Sequence, residues 1–478
     1  MPSDFDFNDL NVPFEKSALE KLQCNVLRST GRPRSTQIFH RFKTKEEFAA
    51  WLAEKAPSPS SSTADHDPLV NVMFTYQGLK MLGFAEEKLR RMDPAFVRGS
   101  RDDETREMLG DGESADWREH EAPWHVVELH AHDERRDIVS PATGNYTIEI
   151  GTGIDEYGNP VTKRDVPSHG HFGILDGISK PVYTQKDYDA LPYVPRDEWA
   201  WDPRRKLSTL VVRDILTESR DAFGSYFVFR KYKQDKAAFQ KRLEEIADEI
   251  KERRRNKDPE LTLSPELRGF RPFQGQVDGD LTELIIQWIF GRGSKGATAF
   301  GHSGNDFELS SDSEGTVCPF HAHISKMNPR GRTGDPEFER TKTVARRGTS
   351  YTGTDIFPGA NAGREHRQET GLLFWCAQAS IGDQFEFVQR AWANSSDDDF
   401  DREPTPDVDT VIGKPEPQLF QAVAGELPWK KWKSTSDIDY NIWGTIKLVG
   451  AEYLYAPSLE GFQALRTHAR RLLKETTR

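Results

Sequence analysis

Apolar positions along this chain alternate between two periods. Gln37-Ile-Phe-His-Arg-Phe42 alternates as a strand does, and Glu46–Leu52 then takes the wider spacing of a helix. A polar loop, Pro57–Pro68, leads to a second strand, Leu69–Tyr76, and a helix begins at Gln77–Leu82. Trp124–His132 reads as a third strand. A similar pattern resumes near residue 223, where Phe223–Arg230 is a strand. Asp235–Arg255 is a charged helix with Phe239, Leu243, Ile246 and Ile250 on one stripe. Gly371–Gln378 is a largely apolar strand, and Thr445–Tyr455 reads as a closing hairpin before a basic C-terminal helix. Strands interleaved with helices predict an α+β class. Two halves are expected, 1–200 and 201–478, with no residue-level repeat between them. Lys251–Pro259 and the acidic Asp397–Glu403 read as solvated insertions. Clustered carboxylates suit a hard cation, but a solvated loop is the simpler reading of the second.

Composition narrows the function. At 478 residues, 36% hydrophobic and 30% charged, the chain can bury more than one small core under a very polar surface. A net charge of −12 argues against a nucleic-acid or anionic-membrane partner. No apolar run reaches the length of a membrane span, and Met1–Asp9 lacks the apolar centre of a secretory signal. Cys24, Cys318 and Cys376 have no CxxC spacing and form no disulfide framework. A reducing cytoplasmic setting is therefore expected.

The segment Gly173-Ile-Leu-Asp-Gly-Ile-Ser-Lys-Pro181 is the most informative stretch. Its glycines permit tight turns and close approach to a flat ligand, and Pro181 fixes where the turn ends. Asp176 within it can face a ligand, although on residue types alone an Asp capping its own turn is the commoner reading. Among thirteen histidines, three pairs have i, i+2 spacing: His130/His132, His169/His171 and His321/His323. In a strand such a pair shares a face and can hold a metal, although an exposed polar face is commoner. The last pair lies in Cys318–Arg330, which has no second cysteine pair to complete a zinc site. A single histidine suffices as an axial haem ligand. Ala345-Arg-Arg-Gly348 marks a surface turn unless one guanidinium enters a closed site. No Walker, GxGxxG or GxSxG motif supports a nucleotide or serine-hydrolase reading.

Taken together these segments resemble the dye-decolourising peroxidases. Gly173-Ile-Leu-Asp-Gly177 matches that family's GxxDG motif, Cys318–Arg330 its proximal-histidine segment, and Arg346-Arg-Gly348 its distal-arginine segment. Similarity also runs through Gln23–Arg28, Val70–Leu79, Phe223–Arg230, Gly371–Asn394 and Val449–Ser458, in the family's order. The length suggests a larger, insertion-bearing subgroup. The resemblance implies two ferredoxin-like α+β domains with antiparallel sheets and peripheral helices, and haem b buried mainly against the second. It makes His323 the iron ligand, with Asp409 behind it; His321 is not taken as a ligand. Asp176 becomes the distal acid/base. The distal arginine is Arg346 by register with the following glycine, with Arg347 as the alternative. Leu372 and Phe374 would wall the pocket, and Ile178, Ser179 and Lys180 would lie along the haem edge.

The activity implied by that resemblance is a peroxidase's. Hydrogen peroxide and aromatic reductants would be its partners, with turnover by one-electron steps. Asp176 would move the proton between the peroxide oxygens, worth ~10²–10⁴-fold. An aspartate, with an unperturbed pKa of about 3.9, remains a base in acid, so an acidic optimum is expected. Trp392 is a candidate relay for bulky dyes, against the plainer reading of a core tryptophan. The main competing reading is a haem-binding protein for storage, delivery or iron removal. A metal-dependent hydrolase using the paired histidines is weaker. The physiological reductant, manganese oxidation, oligomeric state and packaging in a protein compartment stay open.

Overall fold

The computed structural model describes residues 18–112, 123–134, 145–166, 168–191, 201–256, 279–298, 305–312, 315, 317–353, 369–394, 408–414 and 439–476. Its centre is one ten-stranded sheet. The strands are β1 (Arg34–Arg41), β2 (Leu69–Phe74), β3 (Val126–His132), β4 (Asn145–Thr152) and β5 (Val212–Arg213). They continue with β6 (Phe223–Gln234), β7 (Ala345–Arg346), β8 (Thr349–Thr352), β9 (Thr370–Gln378) and β10 (Ile446–Ala456). The order is β4-β1-β3-β2-β10-β6-β9-β7, with β5 beside β6 and β8 beside β9, and neighbouring strands are antiparallel.

That order contains a repeat that the residues conceal. In the first half the fourth strand lies beside the first, then the third, then the second. In the second half β10, β6, β9 and β7 take the same four places. Both halves are thus ferredoxin-like, and they join where Tyr455 of β10 pairs Phe74 of β2. The expected 200/201 boundary borders on residues 192–200, which lie outside the described ones.

The sheet curls until its ends meet. Gly151 of β4 lies so close to β8 that a Cβ there would sit 2.1 Å from Thr349 Cγ2. Lys231 of β6 bonds Glu149 of β4 at 2.7 Å. The inward face forms a shared core between the halves. Phe39 of β1 packs on Phe229 of β6 at 4.9 Å, and Trp375 Nε1 of β9 donates to Gln37 Oε1 of β1 at 3.1 Å. The outward faces carry the helices. Lys45–Ala50 and the C-terminal helix Leu459–Thr476 pack beside each other on the first half. Lys236–Arg255 packs against Gly279–Phe290, and its expected stripe, Phe239, Leu243, Ile246 and Ile250, is buried.

Several expectations change. The segment read as a closing hairpin is the single strand β10, which pairs β6 through a register shift between Leu448 and Gly450. Strands β4, β7 and β8 and the helix Gly279–Phe290 have no counterpart in the sequence reading. The histidine pairs are buried or half-buried rather than forming an exposed polar face. Glu128 is buried between His40 (2.8 Å) and His130 (2.7 Å), His132 meets Thr36 Oγ1 at 3.1 Å, and His171 donates to the Tyr351 carbonyl at 2.8 Å. Among the described residues no cluster of three metal-ligating side chains occurs, and no helix is long and apolar enough to cross a membrane. The acidic segment Asp397–Glu403 lies outside the described residues.

Candidate active site

The outward face of the second half carries the site. Directly opposed residues of neighbouring strands share a face. Arg346 opposes Cys376, Arg230 opposes Phe374, and Tyr232 opposes Leu372. Leu372 and Phe374 therefore share one face with Arg346, while Leu373 and Trp375 point into the core. The same alternation separates the two arginines. Arg346 turns outward. Arg347, whose N–H donates to Trp375 O at 2.6 Å, turns inward.

Asp176 is brought to this face by a pinned loop. Phe172 stacks on Phe239 at 4.1 Å, Leu175 N–H donates to Ser294 O, and Asp176 N–H donates to Ser168 O. Gly177, at φ 84°, closes the turn and gives its N–H to Asp176 Oδ1 at 2.6 Å. Arg346 Nη1 donates to the same oxygen at 3.3 Å. Both side chains are part-exposed, Asp176 at 44% and Arg346 at 38%. Arg346 Nη2 also reaches the Ser179 carbonyl at 3.4 Å.

Ser179 ties this pair to the histidine segment. Its hydroxyl donates to Asn305 Oδ1 at 3.0 Å and accepts from Arg292 (3.2 Å) and Arg330 (3.1 Å). Arg330, fully buried, also donates to the carbonyls of Asn305 and Phe307 and lies over the rings of Trp201 and Phe307. Burial holds its guanidinium well below the usual arginine range. Burial, with Arg346 nearby, lowers Arg292 to about 10. Reasoning from sequence missed Arg292 and Arg330. Arg330 stood inside a segment already singled out, whereas nothing in Gly291-Arg-Gly293 marked Arg292.

His323 opens the short helix His323–Met327. Its Nδ1 lies 2.8 Å from Oδ2 of Asp409, a fully buried carboxylate. Burial by itself would raise the Asp409 pKa. The His323 ring and the Ile412 and Val411 N–H groups outweigh it and hold the carboxyl below its usual range. An ionised carboxylate only accepts, so Nδ1 carries a proton, and it is Nε2 of the neutral ring that can offer a lone pair. Nε2 has no hydrogen-bond partner among the described residues. Asp409 is itself held, since Thr410 Oγ1 donates to Ile289 O at 3.1 Å and Trp443 Nε1 donates to Asp409 O at 2.7 Å.

Asp176, Arg346 and Ser179 thus touch, Leu372 and Phe374 share the face of Arg346, and His323 joins Asp409. No hydrogen bond links His323 to Asp176 or Arg346 among the described residues. Lys180 is exposed and Ile178 half-buried beside them. His321 is buried and stacks on Tyr440 at 5.5 Å. Trp392 is 3% exposed and packs against Phe387, which places it in the core. An imidazole with an open Nε2, two half-buried apolar side chains on one strand face and a part-exposed acid–arginine pair fit a flat, iron-bearing cofactor.

Comparison with known proteins agrees. The family model described as Dyp-type peroxidase, C-terminal, matches residues 202–403. A multifunctional dye peroxidase of Amycolatopsis sp. is 28% identical over 475 residues, covering 94% of this chain and 96% of the relative. The solved structure of an Amycolatopsis peroxidase aligns with a TM-score of 0.70 at 26% identity, covering 97% of this chain and 99% of that one. A DyP-type peroxidase of Anabaena sp. has the same fold, with a TM-score of 0.70 at 24% identity over 97% of this chain and 98% of that one. The fold and these relatives define an α+β oxidoreductase of the peroxidase class. More narrowly, residues 202–403 match the Dyp-type peroxidase family, and the relatives that resemble the chain over nearly its whole length are dye-decolourising peroxidases.

Proposed function

We propose that this protein is a haem b peroxidase that uses hydrogen peroxide to oxidise dyes, phenols and similar aromatic reductants by one-electron steps. The observation that carries this reading is the contact of Arg346 with Asp176 on the strand face that holds Leu372 and Phe374. A protein that only bound haem would need the imidazole but not an acid and a cation set against each other.

His323 would hold the cofactor through Nε2. Leu372 and Phe374 would lie against it, and Ile178, Ser179 and Lys180 would border its edge. The bound haem would supply the iron at which peroxide is reduced and the oxidising equivalents passed to the reductant. Asp409, kept ionised, orients the His323 ring and raises its basicity. Gly177 and Arg346 occupy Asp176 Oδ1, which leaves Oδ2 to take a proton from one peroxide oxygen and return it to the other. Arg346 stabilises the negative charge that develops on the departing oxygen.

Stopped-flow mixing with peroxide tests this on the wild type, Asp176→Asn and Arg346→Leu. The expected result is an intense Soret band in all three, shifting rapidly on mixing only in the wild type. Unchanged rates in both variants would remove the roles of Asp176 and Arg346, and a wild-type Soret band that does not shift would leave haem binding without peroxidase chemistry. Absence of the Soret band would remove both.

A further inference from the structure

We propose that Arg347 is a positioning residue for Arg346, and that the segment Gln23–Arg28 is the mount it works through. The inference rests on the role of Arg346 proposed above and gives a task to a segment the mechanism does not otherwise use. Arg347 points inward, away from Asp176. Its guanidinium donates to Asn25 O at 2.9 Å, Val26 O at 2.8 Å and Arg346 O at 2.9 Å. Three neutral carbonyls fix the plane of the fork, and two of them belong to the other half of the molecule. Burial lowers this guanidinium to about 10, so it stays charged at neutral pH.

The mount is rigid. The fully buried Gln23 amide donates to Val72 O (2.9 Å) and Pro457 O (3.0 Å) and accepts from Val72 N–H (2.8 Å). Cys24 N–H donates to Ser60 O at 2.8 Å, and the Asn71 amide donates to Cys24 O. The side-chain contacts of Arg346 are long by comparison, 3.3 Å to Asp176 and 3.4 Å to Ser179 O. Its peptide, tied to β9 on one side and through Arg347 to β2 and β10 on the other, sets where the guanidinium stands. A misplacement on the order of 1 Å at such a group can lower a rate by ~10²-fold.

The test uses the haem-loaded full chain carrying Arg346→Leu, Arg347→Lys, Arg347→Met or Gln23→Leu. The fluoride dissociation constant is read by absorbance, and the peroxide and reductant steps are timed separately. Arg347→Lys and Arg347→Met are expected to weaken fluoride and slow the peroxide step by about tenfold. Gln23→Leu should do the same to a smaller extent, and the reductant step should hold. Each effect should vanish in an Arg346→Leu background, because coupled residues are non-additive. Full effects persisting in that background, or fluoride binding unchanged in Arg347→Lys and Gln23→Leu, would overturn the inference. If Arg347→Met does not fold, the lysine and Gln23 variants still decide. Fluoride affinity unmoved by Arg346→Leu itself would instead remove the role of Arg346 on which this rests.

Discussion

The two halves have one strand order and opposite fates for the same strand faces. In the first half the second strand turns Val70, Val72 and Phe74 outward, all buried beneath helices. The third strand turns Val126, Glu128, His130 and His132 outward, and their polar groups are matched by His40 and Thr36. In the second half the equivalent faces carry Arg346, Leu372 and Phe374, which stay half-buried or part-exposed. Topology alone therefore does not make a site. What differs is how far helices and side-chain partners close the outward face.

Four measurements can break or sharpen that comparison. The largest effect is expected from Asp176→Asn, which should slow the reaction with peroxide by ~10²–10⁴-fold while the thermal midpoint holds. A parallel loss of stability would make Asp176 a turn residue rather than an acid/base. Next is Glu128→Ala in the first half, which strands the buried His40 and the half-buried His130 and should cost about 3–5 kcal/mol of stability. Its peroxide rate per folded molecule should not move; if it does, the first half takes part in the chemistry. Asp409→Asn removes the ionised partner of His323 and should weaken haem retention by about 10–100-fold, read by transfer to an acceptor protein.

The smallest effect concerns pH. His125 is buried, and burial lowers its pKa to about 4 from an ordinary value near 6.5. The unfolded chain therefore binds its proton first, and this residue's share of stability falls as pH drops from about 6.5 toward 4. The slope from this one group is at most ~1.4 kcal/mol per pH unit. His125→Gln should flatten the acid limb of a pH–stability curve. An unchanged limb would assign it to other groups.

Much of the site was legible as separate segments. Asp176 lay in a glycine-flanked turn, His323 in a segment dense in special residues, and Leu372 and Phe374 on an apolar strand. The choice between Arg346 and Arg347 was open in sequence, because both precede the same glycine and β7 is too short to show a period. Pairing with β9 supplies the pleat that sends one outward and one inward. Arg292 and Arg330 escaped notice because a buried arginine satisfied by carbonyls looks in sequence like any charged loop residue.

By itself the sequence determined the α+β class, the main strands and helices, and the resemblance to one peroxidase family, since local periodicity and ordered motifs need no partner to be read. Only the tertiary structure decided that the halves repeat one strand order, that the sheet curls until β4 meets β8, and that Ser179 joins Arg346 to the histidine segment. Those features depend on pairings between residues from about thirty to more than a hundred positions apart. No local pattern encodes such pairings; they are settled by which faces must be buried together when the chain closes on its core.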